Sequence, residues 1–241
     1  MTGCFVMSRT KRYNETVLRL AQIWRSLGFD FGVFGPACRN RLTRRGIVSN
    51  RSLAMSDATI PSAILELFET DGLAGLGPHR RASAHSEPEV RSRTKAAMDA
   101  SETPRSSRDL ILSAALLWHD HLDASHCVSQ DITSVSGSFL HGIMHRREPD
   151  YPNGKYWFHR TGDHPVFPVI AERVADLLGG AGDSELADRL VSGGNWNADG
   201  MVDACADAER GRLSPDEVRL IQQVQQIEIQ TLVEAFCQGD V

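Results

Sequence analysis

"LILSAALLWHDHLDASHCV", Leu110 to Val128, runs for several helical turns without a glycine or a proline. Leu112, Ala115 and Leu116 recur at helical spacing on one side, and that side continues into His119, Asp123 and His126. Leu110, Ile111, Ala114, Leu117 and Leu122 fill the opposite side. A helix that is apolar on both sides is a buried one. The stretch therefore predicts the central rod of a helical domain, with its histidines pointing inward. Ser106-Ser107-Arg108-Asp109 just before it carries the acid-after-serine spacing of a capping box.

Working outward, a second helix is expected from Ser138 to Arg147, ending before Pro149 because the residue preceding proline is biased away from helix. "DYPNGKYW" reads as a turn through Pro152-Asn153-Gly154. "HPVFPVIAERVADLLGG" predicts a helix opened near Pro165 or Pro168 and closed by Gly179, with short helices following at 183–191 and 198–209. Ser214, Pro215 and Glu217 fit the N-cap, first and third positions of a final helix, whose Leu220, Ile221, Val224 and Ile227 share a face. Upstream, short helices are expected at 14–27, at Pro61–Phe68 and within "EVRSRTKAAMDA", with "GLAGLGPHRRASAHSEPE" irregular between them. No stretch sustains period-two alternation. The expected fold is all-α, a single bundle-like helical domain.

Composition bounds the rest. The 241 residues are 41% hydrophobic and 24% charged, which suits a globular chain. No apolar run approaches the roughly 18–20 residues that span a bilayer. Five scattered cysteines without CxxC spacing argue against a disulfide framework and for a reducing, cytoplasmic setting. Residues 1–54 hold ten basic and two acidic residues, a balance of +8. The remaining 16 basic and 29 acidic residues give −13. That break predicts a basic extension over 1–56, disordered or lying upstream of a native start at Met55, and a helical domain over 57–241. A basic leader and a nucleic-acid-binding arm are the alternatives for the extension. The acidic body disfavours nucleic acid as its own partner.

Seven of the nine histidines lie between His119 and His164. His119, Asp123 and His126 form one helical stripe, H-x3-D-x2-H. His141, His145 and Glu148 form another, H-x3-H-x2-E. Imidazoles on neighbouring turns can hold a divalent metal, with carboxylates as co-ligands or orienting partners. These six are the candidate metal ligands. Nitrogen and oxygen donors suit zinc, iron, manganese or nickel. A metal-free polar or catalytic site and a purely structural hydrogen-bond network are the alternatives for the same residues, and His121 points to the other face. Arg146, Arg147, Lys155 and Tyr156 are candidates for binding a small anionic molecule, with Arg160 nearby. Pairing of Arg146 and Arg147 with Glu148, Asp150 or Asp163 is the plainer alternative. Trp157 and Phe158 serve as pocket wall or as core. His159 and His164 are the acid–base candidates. "NWNADGMVDACAD" imitates a calcium loop, but Ala206 stands where the bidentate Glu belongs, and capping by Asn197 or Asp199 explains it better. No GxGxxG, P-loop, GxSxG or CxxC motif is present.

With "LLWHDHLDASH", "GSFLHGIMHRREPDYPNGKYWFHRTGDHP" and "EIQTLVEAFC", the chain resembles an uncharacterised family of bacterial and fungal proteins, a domain of unknown function with a WHD segment followed by an LHxxMHRRExDxxNxKYWF-type block. The resemblance covers residues 57–241, is densest over 110–167 and implies one coherent domain without supplying an activity. Two functions follow from the residues. One is a metal-dependent, hydrolase-like enzyme acting on a small anionic substrate. The other is a non-catalytic helical module that binds a ligand or protein and contains a structural histidine network.

Overall fold

A computed structural model describes residues 60–239. The expected basic extension at 1–56 and the helix at 14–27 lie outside the described residues. What is described is all-α: ten helices and one two-stranded antiparallel pair. In chain order these are α1 (Ser62–Leu65, continued by a 3-10 turn at Glu66–Phe68), α2 (Glu87–Ala100), α3 (Arg108–Trp118), α4 (Leu122–Ser129), α5 (Val135–Arg147), α6 (Tyr151–Thr161) and α7 (Phe167–Ala181). They continue as α8 (Ser184–Leu190), β1 (Val191–Ser192), β2 (Asn195–Trp196), α9 (Ala198–Glu209) and α10 (Pro215–Gln238). No described helix is long and apolar enough to cross a membrane.

α3 occupies the centre, as its two-sided apolar pattern requires. Leu110, Ile111, Ala114, Ala115, Leu116, Leu117 and Trp118 are all buried. Burial is worth roughly 1.5–3 kcal/mol for each large side chain, so α3 anchors the domain. α2, α4, α5 and α10 pack around it. α10 begins on the expected capping box: Ser214 Oγ accepts from the Glu217 N–H and Glu217 Oε2 accepts from the Ser214 N–H. Asn197 caps α9 by accepting from the Gly200 N–H.

Two expectations are corrected. The helix predicted to run from 110 to 128 breaks at His119–His121. Asp120 takes a left-handed φ of 62°. The Asp120 N–H donates to Leu117 O and the His121 N–H to Leu116 O, the paired closure of a Schellman motif with aspartate where glycine usually sits. The carboxylate explains the exception. Asp120 Oδ2 accepts from the Arg81 backbone N–H and Nε at 3.0 and 2.8 Å, and Oδ1 accepts from Arg147 Nη2 at 2.6 Å.

The second correction falls on Pro152-Asn153-Gly154, which is the first turn of α6 and not a loop. Asp150 Oδ1 caps it by accepting from the Asn153 N–H, and Pro152 needs no partner there. Gly142 and Gly154 let α5 and α6 cross closely. A Cβ on Gly142 would meet the Phe158 ring at 2.9 Å, and one on Gly154 would meet Arg146 backbone N at 3.3 Å.

Candidate metal centre

The α5–α6 hairpin aligns two stripes face to face. His141 and His145 lie one turn apart on α5, and Trp157 and Asn153 one turn apart on α6. Because the helices run in opposite directions, Trp157 meets His141 and Asn153 meets His145. The Trp157 ring stacks on His141 at 3.9 Å between centroids and 12° between planes. Asn153 Nδ2 lies 3.0 Å from His145 Nε2 and 3.3 Å from Nδ1. From α4, His126 adds a third ring, edge-on to His141 at 4.7 Å and to His145 at 5.3 Å.

His126, His141 and His145 each present a nitrogen, and these three atoms lie within 4.8 Å of one another. His141 Nε2 and His145 Nε2 are 3.0 Å apart. His145 Nδ1 faces Glu148 Oε2 at 3.1 Å. A carboxylate only accepts, so Nδ1 carries the ring proton and Nε2 keeps its lone pair toward the cluster. His141 Nδ1 is buried without a hydrogen-bond partner. Burial, then the neighbouring His145 and His126, hold His141 down at about 4, so it is neutral at pH 7. His145 is lowered as well, mainly by burial, with Glu148 pulling the other way.

The other candidates stand apart from this cluster. His119 does not join His126 on one helical stripe, because the chain reverses its course at Asp120. Its Nδ1 accepts from the His85 N–H at 3.2 Å and its Nε2–H donates to Leu67 O at 2.9 Å, so both nitrogens are engaged. Burial lowers it to about 4. Asp123 is exposed on α4. The four-histidine grouping is thus corrected to three.

Arg146 and Arg147, expected at a substrate, are fully buried. Arg146 makes a two-pronged pair with Glu228 at 3.1 and 2.6 Å, and Arg147 pairs with Asp120. Neither reaches the acids adjacent in sequence. Burial pushes the Glu228 carboxyl up against the opposing pull of the Arg146 charge and hydrogen bond, while Glu228 keeps Arg146 above its ordinary value. Lys155 and His159 turn toward α9, pairing with Asp203 at 2.8 Å and Asp199 at 2.9 Å. Tyr156 is exposed and accepts from Arg160 Nη1 at 3.3 Å. The Arg160 guanidinium lies over Trp157 at 5.1 Å.

His164 is buried against Ser136. Its Nδ1 accepts from the Val166 N–H at 3.3 Å, so Nε2 holds the proton and donates it to Ser136 Oγ at 2.9 Å. That protonation state cannot take a proton from the serine, and burial lowers the ring to about 4.

The site residue that sequence reasoning missed is Asn153, hidden in a triplet that looked like a turn. One local signal was Asp150 three residues earlier, an N-cap that fixes Asn153 on a helix. The chain matches no protein-family model, no curated protein and no solved structure.

Proposed function

We propose that His126, His141 and His145 hold one divalent transition metal (zinc, iron, manganese or nickel) and that the chain is a metal-dependent enzyme of hydrolytic type acting on a small anionic substrate. One observation carries this reading: three imidazole nitrogens from two helices converge within 4.8 Å. Their surroundings support it. His141 is neutral at physiological pH, and metal binding needs neutral imidazole. Glu148 fixes His145 in the tautomer that turns Nε2 inward, the usual carboxylate–histidine arrangement behind a metal ligand. Three protein ligands leave coordination sites for water and substrate, and the ion would supply a water acidic enough to act near neutrality. Arg160 over Trp157 provides an exposed cation beside the ring stack, the part that the two buried arginines do not play.

The test is elemental analysis of full-length protein purified without a histidine tag and reloaded with zinc, manganese, iron(II) or nickel in turn. About one ion per chain is expected, lost in His141→Ala and in His145→Ala and retained in His119→Ala and in His159→Ala. Bound nickel or iron(II) next to Trp157 should also quench its fluorescence. Failure of all four metals to bind would overturn the reading.

A second reading has its own observation. The 3.0 Å contact between His141 and His145 also suits an N–H···N hydrogen bond, which Glu148 extends into a Glu–His–His chain. In that case the cluster is a structural network in a non-catalytic module. No metal would bind, and His145→Ala would cost about 2–4 kcal/mol of stability.

A further inference from the structure

Two hydrogen-bond donors compete for one acceptor at His145. Nδ1 is committed to Glu148, which leaves a single lone pair on Nε2. His141 Nε2 and Asn153 Nδ2 each lie 3.0 Å from that Nε2. The Asn153 nitrogen is also 3.3 Å from Nδ1. An atom at similar distances from both ring nitrogens lies off both in-plane directions, over the ring. The carboxamide is therefore a surplus donor held beside the cluster without an acceptor of its own. It is also rigidly mounted. Its backbone N–H is fixed by Asp150, and the adjoining Gly154 presses the start of α6 onto α5.

The geometry points to Asn153 as the residue that donates a hydrogen bond to the oxygen of whatever occupies the open side of the three-histidine centre, water or the anionic oxygen of a carboxylate- or phosphate-class substrate. The inference rests on the metal reading above. Once an ion takes the Nε2 lone pair, no acceptor remains on His145, and the amide N–H sits within reach of an oxygen bound next to that nitrogen. A donor aimed at developing negative charge is what hydrolysis at such a centre requires. It also names a substrate feature: an oxygen that gains charge at the ion. Among the described residues, Asn153 is the neutral, rigid donor that the hairpin places there.

Cobalt(II) loaded into the full chain makes the question measurable, because its visible bands report both ion binding and anion binding. Wild type, Asn153→Ala and Asn153→Asp are titrated with cobalt(II), then with acetohydroxamate, an oxygen-donor anion. Cobalt affinity within about threefold of wild type is expected in Asn153→Ala, with acetohydroxamate binding weakened about tenfold or more in both variants, as loss of a charge-assisted hydrogen bond predicts. Asn153→Asp, which replaces the donor by a negative charge, should be the weaker of the two. Unchanged acetohydroxamate affinity in Asn153→Ala would overturn the assignment while leaving the metal centre intact. Loss of cobalt itself in Asn153→Ala would also overturn it, by making Asn153 a ligand. Failure of wild type to bind cobalt would instead remove the centre.

Discussion

At residue 120 the chain adopts a backbone conformation that a residue with a Cβ seldom takes, and two arginines hold it there. Burial pushes the Asp120 carboxyl pKa up. The Arg147 charge and the Arg81 hydrogen bonds more than offset that, so the group stays ionised below its ordinary range. Asp120→Asn keeps a side chain that tolerates the left-handed region but leaves Arg147 buried without its counter-charge. It should cost about 3–5 kcal/mol, and Asp120→Ala about 1 kcal/mol more from the backbone alone. Urea denaturation at constant slope measures both; an Asn variant as stable as wild type would show that the ion pairs do not hold the turn. None of this was legible locally. "WHDHLD" contains no glycine or proline, and the partners that break the helix lie 39 residues upstream and 27 residues downstream. A hydrophobic period reports which face is buried. It does not report a turn imposed by distant charges.

Between elements, the α5–α6 crossing depends on two missing side chains. Gly142→Ala sets a methyl 2.9 Å from the Phe158 ring, which is itself buried and cannot swing away. Stability should fall by about 1–3 kcal/mol, read as a lower thermal midpoint; an unchanged midpoint would mean that the helices separate without cost. The start of the last helix was legible, because its capping box is a local pattern that states its own geometry. The first turn of α6 was not. Pro152-Asn153-Gly154 is the composition of a turn, and only Asp150, together with the tight seat that Gly154 permits against Arg146, turns it into a helix start. The H-x3-H spacing is enough by itself to place His141 and His145 on one face of a helix. Their partners Trp157 and Asn153 depend on the hairpin, which no local spacing encodes.

Across the whole molecule, His119 and His164 are neutral groups built into the interior. Each has a folded pKa of about 4 against 6.5 for the ordinary ring. The unfolded chain therefore binds more protons between these values. Their contribution is complete above pH 6.5 and disappears as the pH falls toward 4. Each should cost on the order of 2 kcal/mol by the end of that window. Stability against urea measured from pH 7.5 to 4 should fall accordingly, and His164→Gln should flatten part of the slope; a profile flat down to pH 4.5 would refute the assignment. The sequence signalled a histidine-rich interior correctly as a pattern. It could not separate rings that fasten the fold, His119 and His164, from the three that converge, because that depends on which neighbours each ring meets. His126 differs from the other two members of the cluster in one respect. It hangs on α4, across a connecting segment from α5. Any ligand gripping His126 and His141 together would act as a clasp on the polymer, closing the loop between them. Closing a loop of about 15 residues removes chain entropy worth about 3 kcal/mol from the unfolded state. Occupancy of the cluster and mechanical tethering of these two helices would then be a single event.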